Sequence, residues 1–193
     1  MEFRIMETDE LQNWYDQELS EAFPPRERKP LPVIRELIAA GRYTLRGLYD
    51  GGTLLGYAAL WGKPGAGYVL LDYLGVTAAR RGGGIGAHIL ARLAGQEKNR
   101  IIIESECPLP GGDEAENAIR TRRIGFYERA GYRGRYEMAA CGARFLAMTL
   151  DGPEDIPAMT AAHWAVYDSG RPDVKIPLGP NETPPPAFWG REP

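Results

Sequence analysis

Apolar positions along the chain follow two periods, and the switch between them marks the elements. Between residues 10 and 23, Leu11, Trp14, Tyr15, Leu19 and Phe23 recur at roughly helical spacing. This predicts a helix, with Asp9 as its cap and Pro24 and Pro25 as its stop. A short strand precedes it at 3–6. A second helix is predicted over 32–40, with a proline in its first turn and Gly41 beyond its end. Two strands, 43–49 and 54–61, flank the turn Asp50-Gly51-Gly52-Thr53, a hairpin signal. A third strand is predicted over 68–76. The short turns favour antiparallel pairing for all three. A glycine-rich stretch then opens a helix over 85–96, and 101–106 is a short apolar strand. Strand, helix, strand in that order predicts a right-handed parallel crossover. A long helix is predicted over 114–130, ended by Gly131. A closing pair of strands, 132–138 and 143–150, surrounds Cys141 and Gly142.

The pattern changes after Leu150. A helix is predicted over 154–167, and 170–193 is rich in proline and glycine. This last stretch reads as an extended tail, disordered or laid along the surface, with Phe188 and Trp189 as candidate tethers. The expected organisation is a domain over 1–150 and a C-terminal helix and tail over 151–193. The expected fold class is α/β: a mixed, mostly antiparallel central sheet of about six to seven strands with flanking helices.

Composition narrows the function classes. At 193 residues the chain is long enough for a sizeable core without covalent staples. Its two cysteines, Cys107 and Cys141, are therefore expected as free thiols in a reducing compartment. A net charge of -3 gives no reason to expect nucleic acid. No apolar stretch approaches the roughly 20 residues of a membrane helix, and residues 1–10 do not look like a signal peptide. The cytoplasm is the expected location. The basic clusters at Arg80-Arg81 and 120–123 are short, so a small polyanion is the better match.

The segment Arg80-Arg81-Gly82-Gly83-Gly84-Ile85-Gly86 follows an apolar strand and opens an apolar helix. Bare glycines let a ligand approach the backbone, and the free amides of a helix start suit phosphate. The two arginines add charge-assisted bonds. Together these parts describe a diphosphate grip. A P-loop would need lysine and then serine or threonine where Ala87 and His88 stand. A dinucleotide fingerprint would need a third glycine where Ile89 stands, although Glu104 lies where a ribose-binding carboxylate is expected. The antiparallel strands upstream do not suit that fold.

The spacing of Arg81, Gly84 and Gly86 resembles the arginine-x-x-glycine-x-glycine element of the GCN5-related N-acetyltransferase (GNAT) superfamily. Leu74-Gly75-Val76 is similar to the end of that family's central strand. Phe126-Tyr127-Glu128-Arg129-Ala130-Gly131-Tyr132 resembles its tyrosine-bearing helix-to-strand segment. The resemblance covers roughly residues 1–150. It implies acetyl-CoA as the cofactor, its pantetheine arm on Leu74, Gly75 and Val76 and its diphosphate on Arg81, Gly82, Gly83, Gly84, Ile85 and Gly86. It also implies a bulged central strand that parts from the strand over 101–106, and Tyr127 as the acid at the thioester sulfur. Asparagine and alanine, common seven and four residues before that tyrosine, are replaced by Arg120 and Arg123, so Asn117 is the candidate substitute amide.

Acyl transfer to an amine needs a neutral amine, a donor for the developing oxyanion and protonation of the leaving thiolate. Glu104 is the first candidate base, and Glu106 shares its parity. Asp72 is the rival, of equal parity with Leu74 and Val76, and Tyr73 is expected to face the other way. All three carboxylates are also candidate binders of a cationic substrate. His88 is expected to pack or face solvent, and the two histidines and Cys107 do not have metal-ligand spacing. The loop 107–112 is a candidate wall of the acceptor pocket. The expected activity is N-acetyl transfer from acetyl-CoA to a primary amine, of a small molecule or else of a protein, by direct attack in a ternary complex. A non-catalytic CoA-binding or regulatory domain is the alternative, and a purely structural domain a third reading. A homodimer through the C-terminal segment is a further expectation.

Overall fold

The computed structural model describes residues 1–167 and 170–188. Seven strands form one sheet in the order β1-β2-β3-β4-β5-β7-β6. They are β1 (Glu2–Ile5), β2 (Tyr43–Asp50), β3 (Thr53–Gly62), β4 (Tyr68–Val76), β5 (Arg100–Glu106), β6 (Tyr132–Ala140) and β7 (Ala143–Leu150). Every neighbouring pair is antiparallel except β4 and β5, which run parallel. The connection between those two is the helix Ile85–Gln96, as a parallel crossover requires. The sheet is thus mixed and mostly antiparallel, as the periodicity predicts.

The helices are α1 (Glu10–Asn13), α2 (Ser20–Ala22), α3 (Leu31–Ala39), α4 (Ile85–Gln96), α5 (Glu114–Arg129) and α6 (Ile156–Tyr167). They cover both faces. On one face, Leu11, Trp14, Leu19, Ile34, Met159 and Val166 pack onto Leu45, Ala59, Leu70 and Ile102. On the other, Ile89, Leu90 and Leu93 of α4 and Tyr127 of α5 pack onto Ala58, Leu71, Ile101 and Ile103. Each fully buried aliphatic side chain here contributes about 1.5–3 kcal/mol of burial energy.

Three local departures from the sequence pattern matter for the site. The first predicted helix is interrupted by a π-helical turn over Trp14–Leu19. Trp14 and Leu19 are five residues apart and both buried, and the wider turn brings both inward. Asp9, expected as its cap, makes no side-chain capping bond. The glycine turn tightens to two residues, Gly51 and Gly52, because Asp50 already pairs with Thr53.

The third departure is at the C-terminus. The segment expected as a tail is folded onto the sheet. Ala139 of β6 and Lys175 exchange two backbone bonds, at 2.9 and 3.0 Å, and Leu178 N–H donates to Glu137. Val174, Ile176 and Leu178 are buried, which the local excess of proline and glycine concealed. Trp189 lies outside the described residues. Phe188 is exposed.

Candidate active site

The site begins with an extra residue. Ala59 pairs with Tyr73 and Leu60 with Leu71, so Asp72 is a bulge in β4. A bulge bends its strand and breaks the period of two. β4 pairs with β5 only from Tyr68–Leu71 to Arg100–Ile103. Beyond that point β4 stays with β3, while Ile103–Glu106 of β5 pairs with β7. A gap opens between the strands, and Leu74, Gly75 and Val76 line it. Gly75 is required there: a Cβ on it would come within 2.2 Å of the Tyr57 ring. The bulge also corrects the parity reading. Tyr73 does not oppose Asp72; Lys29 bonds to both, its Nζ to Asp72 and its N–H to the Tyr73 hydroxyl.

The far end of the gap is the start of α4. Gly84 has φ of 76° and stands at the N-cap, a left-handed conformation that glycine adopts without strain. No side chain caps this helix. Among the described residues, the first backbone bond at this terminus is His88 N–H to Gly84, and the amides from Gly82 to Ala87 donate to no protein group. Gly82, Gly83 and Gly84 are exposed. Bare amides and the helix dipole fit a diphosphate. Gly82, Gly84, Ile85, Gly86, Arg80 and Arg81 line a cavity of about 510 Å³. The Arg81 side chain is already engaged by protein groups at the cavity wall. It pairs with Glu21 at 2.9 Å and donates to the Val76 carbonyl, so it ties the glycine turn to α2.

Tyr127 stands where this cavity meets a second one of about 360 Å³. α5 places it there, starting from Asp113, which caps the Glu116 amide at 2.9 Å. Burial pushes the Tyr127 hydroxyl up to about 12, opposed only by the charge of Arg123. It is therefore protonated at neutral pH, and none of the described residues hydrogen-bonds to it. Arg123, one turn earlier, lines both cavities. Asn117 does not substitute for the missing family amide. Its side chain both accepts from Leu109 N–H and donates to the Leu109 carbonyl at 2.8 Å, holding the 107–112 loop. That loop lines neither cavity. The second cavity is walled instead by Glu21, Phe23, Glu27, Cys141, Phe145 and Arg171.

The three predicted carboxylates have different fates. Asp72 lines the second cavity, but Lys29 Nζ takes one oxygen and the Tyr43 hydroxyl the other, each at 2.5 Å. Lys29 also lies 4.0 Å over the Trp61 ring. Asp72 is thus a lock on the loop before α3, not an available base. Glu106 is paired with Arg120 at 3.0 Å and lies outside the cavity lining, because the strand end lets it reach α5. Glu104 lines the cavity. Its oxygens meet the Tyr167 hydroxyl at 2.6 and 2.7 Å, and Oε1 meets His163 Nε2 at 2.7 Å. Sequence reasoning left His163, Tyr167, Lys29 and Arg171 out of the site. The first two are four residues apart on one helix, a spacing that shares a face and would have linked them.

The model of the acetyltransferase (GNAT) domain family matches residues 43–134, which hold the bulged strand, the glycine turn and Tyr127. Among solved structures, a GNAT-family protein from Bacteroides thetaiotaomicron superimposes with a TM-score of 0.66 at 22% identity, covering 84% of this chain and 94% of its own. An aminoglycoside 6'-N-acetyltransferase complexed with coenzyme A gives 0.58 at 17% identity, covering 80% and 100%. A Salmonella typhimurium protein with its cofactor acetyl-CoA gives 0.55 at 17%, covering 80% and 98%. At these identities the likeness is one of fold. No curated protein matches the chain in sequence.

Proposed function

We propose, from the match of residues 43–134 to the acetyltransferase (GNAT) domain family, that the protein transfers an acetyl group from acetyl-CoA to a primary amine of a small molecule, by direct attack in a ternary complex. The observation that carries this reading is the position of Tyr127 at the junction of two cavities. One of them opens on the bare amides of the glycine turn, and the other has a carboxylate held by a tyrosine hydroxyl and a histidine ring nitrogen. Acetyl-CoA supplies the activated acyl group. The open edge at Leu74, Gly75 and Val76 and the amides from Gly82 to Gly86 are the groups that hold it.

The acceptor amine enters beside Glu104, which takes a proton from nitrogen as the new C–N bond forms. The C–S bond breaks, and Tyr127 gives its proton to the departing sulfur. A hydroxyl held up to about 12 is a donor throughout the physiological range. The second cavity, about 360 Å³ and walled by α2, the Lys29 loop and Arg171, has the volume of a small-molecule site.

The test is release of free CoA thiol, with mass detection of product, across a panel of polyamines, aminoglycosides, amino acids and aryl amines. Tyr127→Phe is expected to lower kcat by about 10²-fold with unchanged acetyl-CoA affinity. Gly84→Val is expected to weaken acetyl-CoA binding through its left-handed φ of 76°. Tight acetyl-CoA binding with no product from any amine would favour a non-catalytic CoA-binding domain.

A further inference from the structure

A chain of buried polar groups runs behind Glu104, and most of it comes from the appended helix. His163 is completely buried. Its Nε2 lies 2.7 Å from Glu104 Oε1, and its Nδ1 lies 2.9 Å from the Tyr136 hydroxyl on β6. Tyr167, one turn further along α6, places its hydroxyl 2.6 and 2.7 Å from the two oxygens of the same carboxylate. With the Tyr136 hydroxyl at Nδ1, the Nε2–H of the imidazole is placed to donate to Glu104. Glu104 then receives two protein donors and keeps lone pairs toward the cavity that it lines.

Packing fixes these donors. The Tyr167 ring meets Trp61 edge-on at 5.0 Å and His163 at 5.8 Å. The Arg171 guanidinium lies 5.3 Å from the Tyr167 ring centroid. Burial, followed by the Glu104 charge, holds the Tyr167 hydroxyl well above its ordinary value, so it only donates.

We propose that His163 and Tyr167 are positioning residues of the acyl transfer: α6 orients the Glu104 carboxylate toward the acceptor amine, and is therefore a part of the active site. This rests on Glu104 being the base. A carboxylate oxygen that accepts two bonds from packed side chains is held in one orientation, and bonds to a charged group are the stronger kind. The other charged and titratable groups close to this network are Asp72 and Arg171 near Tyr167, Cys141 near Glu104, and Tyr68 and Glu154 near Tyr136. Lys29 pairs with Asp72 and Asp173 with Arg171, whereas Glu104 is the carboxylate held by α6.

The experiment measures kcat and KM for the amine and for acetyl-CoA against pH, in the full chain and in Tyr167→Phe, His163→Leu, His163→Gln and Glu104→Gln. Tyr167→Phe and His163→Leu are each expected to lower kcat about 10-fold, the value of one buried bond to a charged group. The acidic limb of the rate profile is displaced from the parent's, because a donor to the base is gone. The KM for acetyl-CoA stays within about twofold, since the diphosphate grip is elsewhere. His163→Gln restores a side-chain donor and recovers most of the rate. Tyr167→Phe keeps the ring and its packing, so it reads the hydroxyl even where a histidine replacement unfolds. If Glu104→Gln abolishes the limb and Tyr167→Phe moves neither limb nor rate, α6 is only structural and the proposal is overturned, with Glu104 still the base. If Glu104→Gln leaves rate and limb intact, the base assignment fails first and the role of α6 with it.

Discussion

Asp173→Asn tests what holds the C-terminal segment against the sheet. Asp173 is buried and receives three bonds: Arg171 Nε and Nη2, each at 2.8 Å, and the Cys141 amide at 2.9 Å. Burial alone would push this carboxyl up. The hydrogen bonds and charge of Arg171 outweigh it and hold Asp173 below its usual range. The rest of the segment is nearly balanced. Val174, Ile176 and Leu178 contribute roughly 5–9 kcal/mol by burial. Four hydrogen bonds, three to the backbone of β6 and one from the Trp164 indole, add about 4 kcal/mol. Ordering residues 171–178 costs about 8–16 kcal/mol. The buried pair, about 3–5 kcal/mol when one partner is removed, therefore decides whether the segment stays down.

The assay is hydrogen exchange by residue. In the variant, the amides of Lys175, Leu178 and Ala139 are expected to exchange about 10²-fold faster or more at pH 7, while β4 and β5 keep their protection. The parent loses the same protection on acidification. A depressed carboxyl contributes its stability fully above the unfolded value, near 3.9, and loses it as pH falls through the folded one. In Asp173→Asn that acid step is absent. Unchanged protection of Lys175 and Leu178 at neutral pH would refute the reasoning.

Two further outcomes follow from packing and charge. Gly75→Ala places a Cβ 2.2 Å from the Tyr57 ring, which itself packs on Trp14, and is expected to cost more than about 2 kcal/mol in chemical denaturation; a shift below 0.5 kcal/mol would count against the close approach. Arg4, the Glu7 amide and Tyr49 hold the Glu10 carboxyl down at about 2. Its stabilisation is complete above about 4.5 and lost as pH falls toward about 2. Glu10→Gln should therefore flatten the decline of urea midpoints over that window, and parallel declines in variant and parent would argue otherwise.

Local chemistry made most of the fold readable. The strand Tyr68–Val76 and the helix Ile85–Gln96 have the predicted bounds, because apolar runs bounded by glycine leave little choice. The bare amides at the start of α4 were readable for the same reason: they belong to the backbone, and consecutive glycines announce them. The bulge residue was not readable from spacing, since one extra residue in β4 looks like ordinary alternation until β3 shows that Asp72 has no partner. The acceptor side was least visible. Its parts come from residues 21–29, 72, 104, 141 and 163–171, brought together only by tertiary packing. A histidine and a tyrosine on a helix after the last strand carry no signal of their own. Their meaning comes from Glu104, some sixty residues away in sequence.

The bulge at Asp72 has two effects that belong together. It ends the pairing of β4 with β5, which opens the gap proposed for the thioester arm. It also turns the Asp72 carboxylate to the face where Lys29 and Tyr43 each bond to it, at the wall of the second cavity. Without the lock, the gap would hold an unpaired carboxylate next to Glu104, and two like charges would compete for the amine proton. Lys29 is buried, over Trp61 and against Asp72, so the compensation is built in and does not depend on solvent ions. The same logic recurs at Arg171 and Asp173 and at Arg81 and Glu21. Each pair cancels a charge at the cavity wall. Glu104 differs from these three pairs, because its own partners are a phenol and an imidazole from α6.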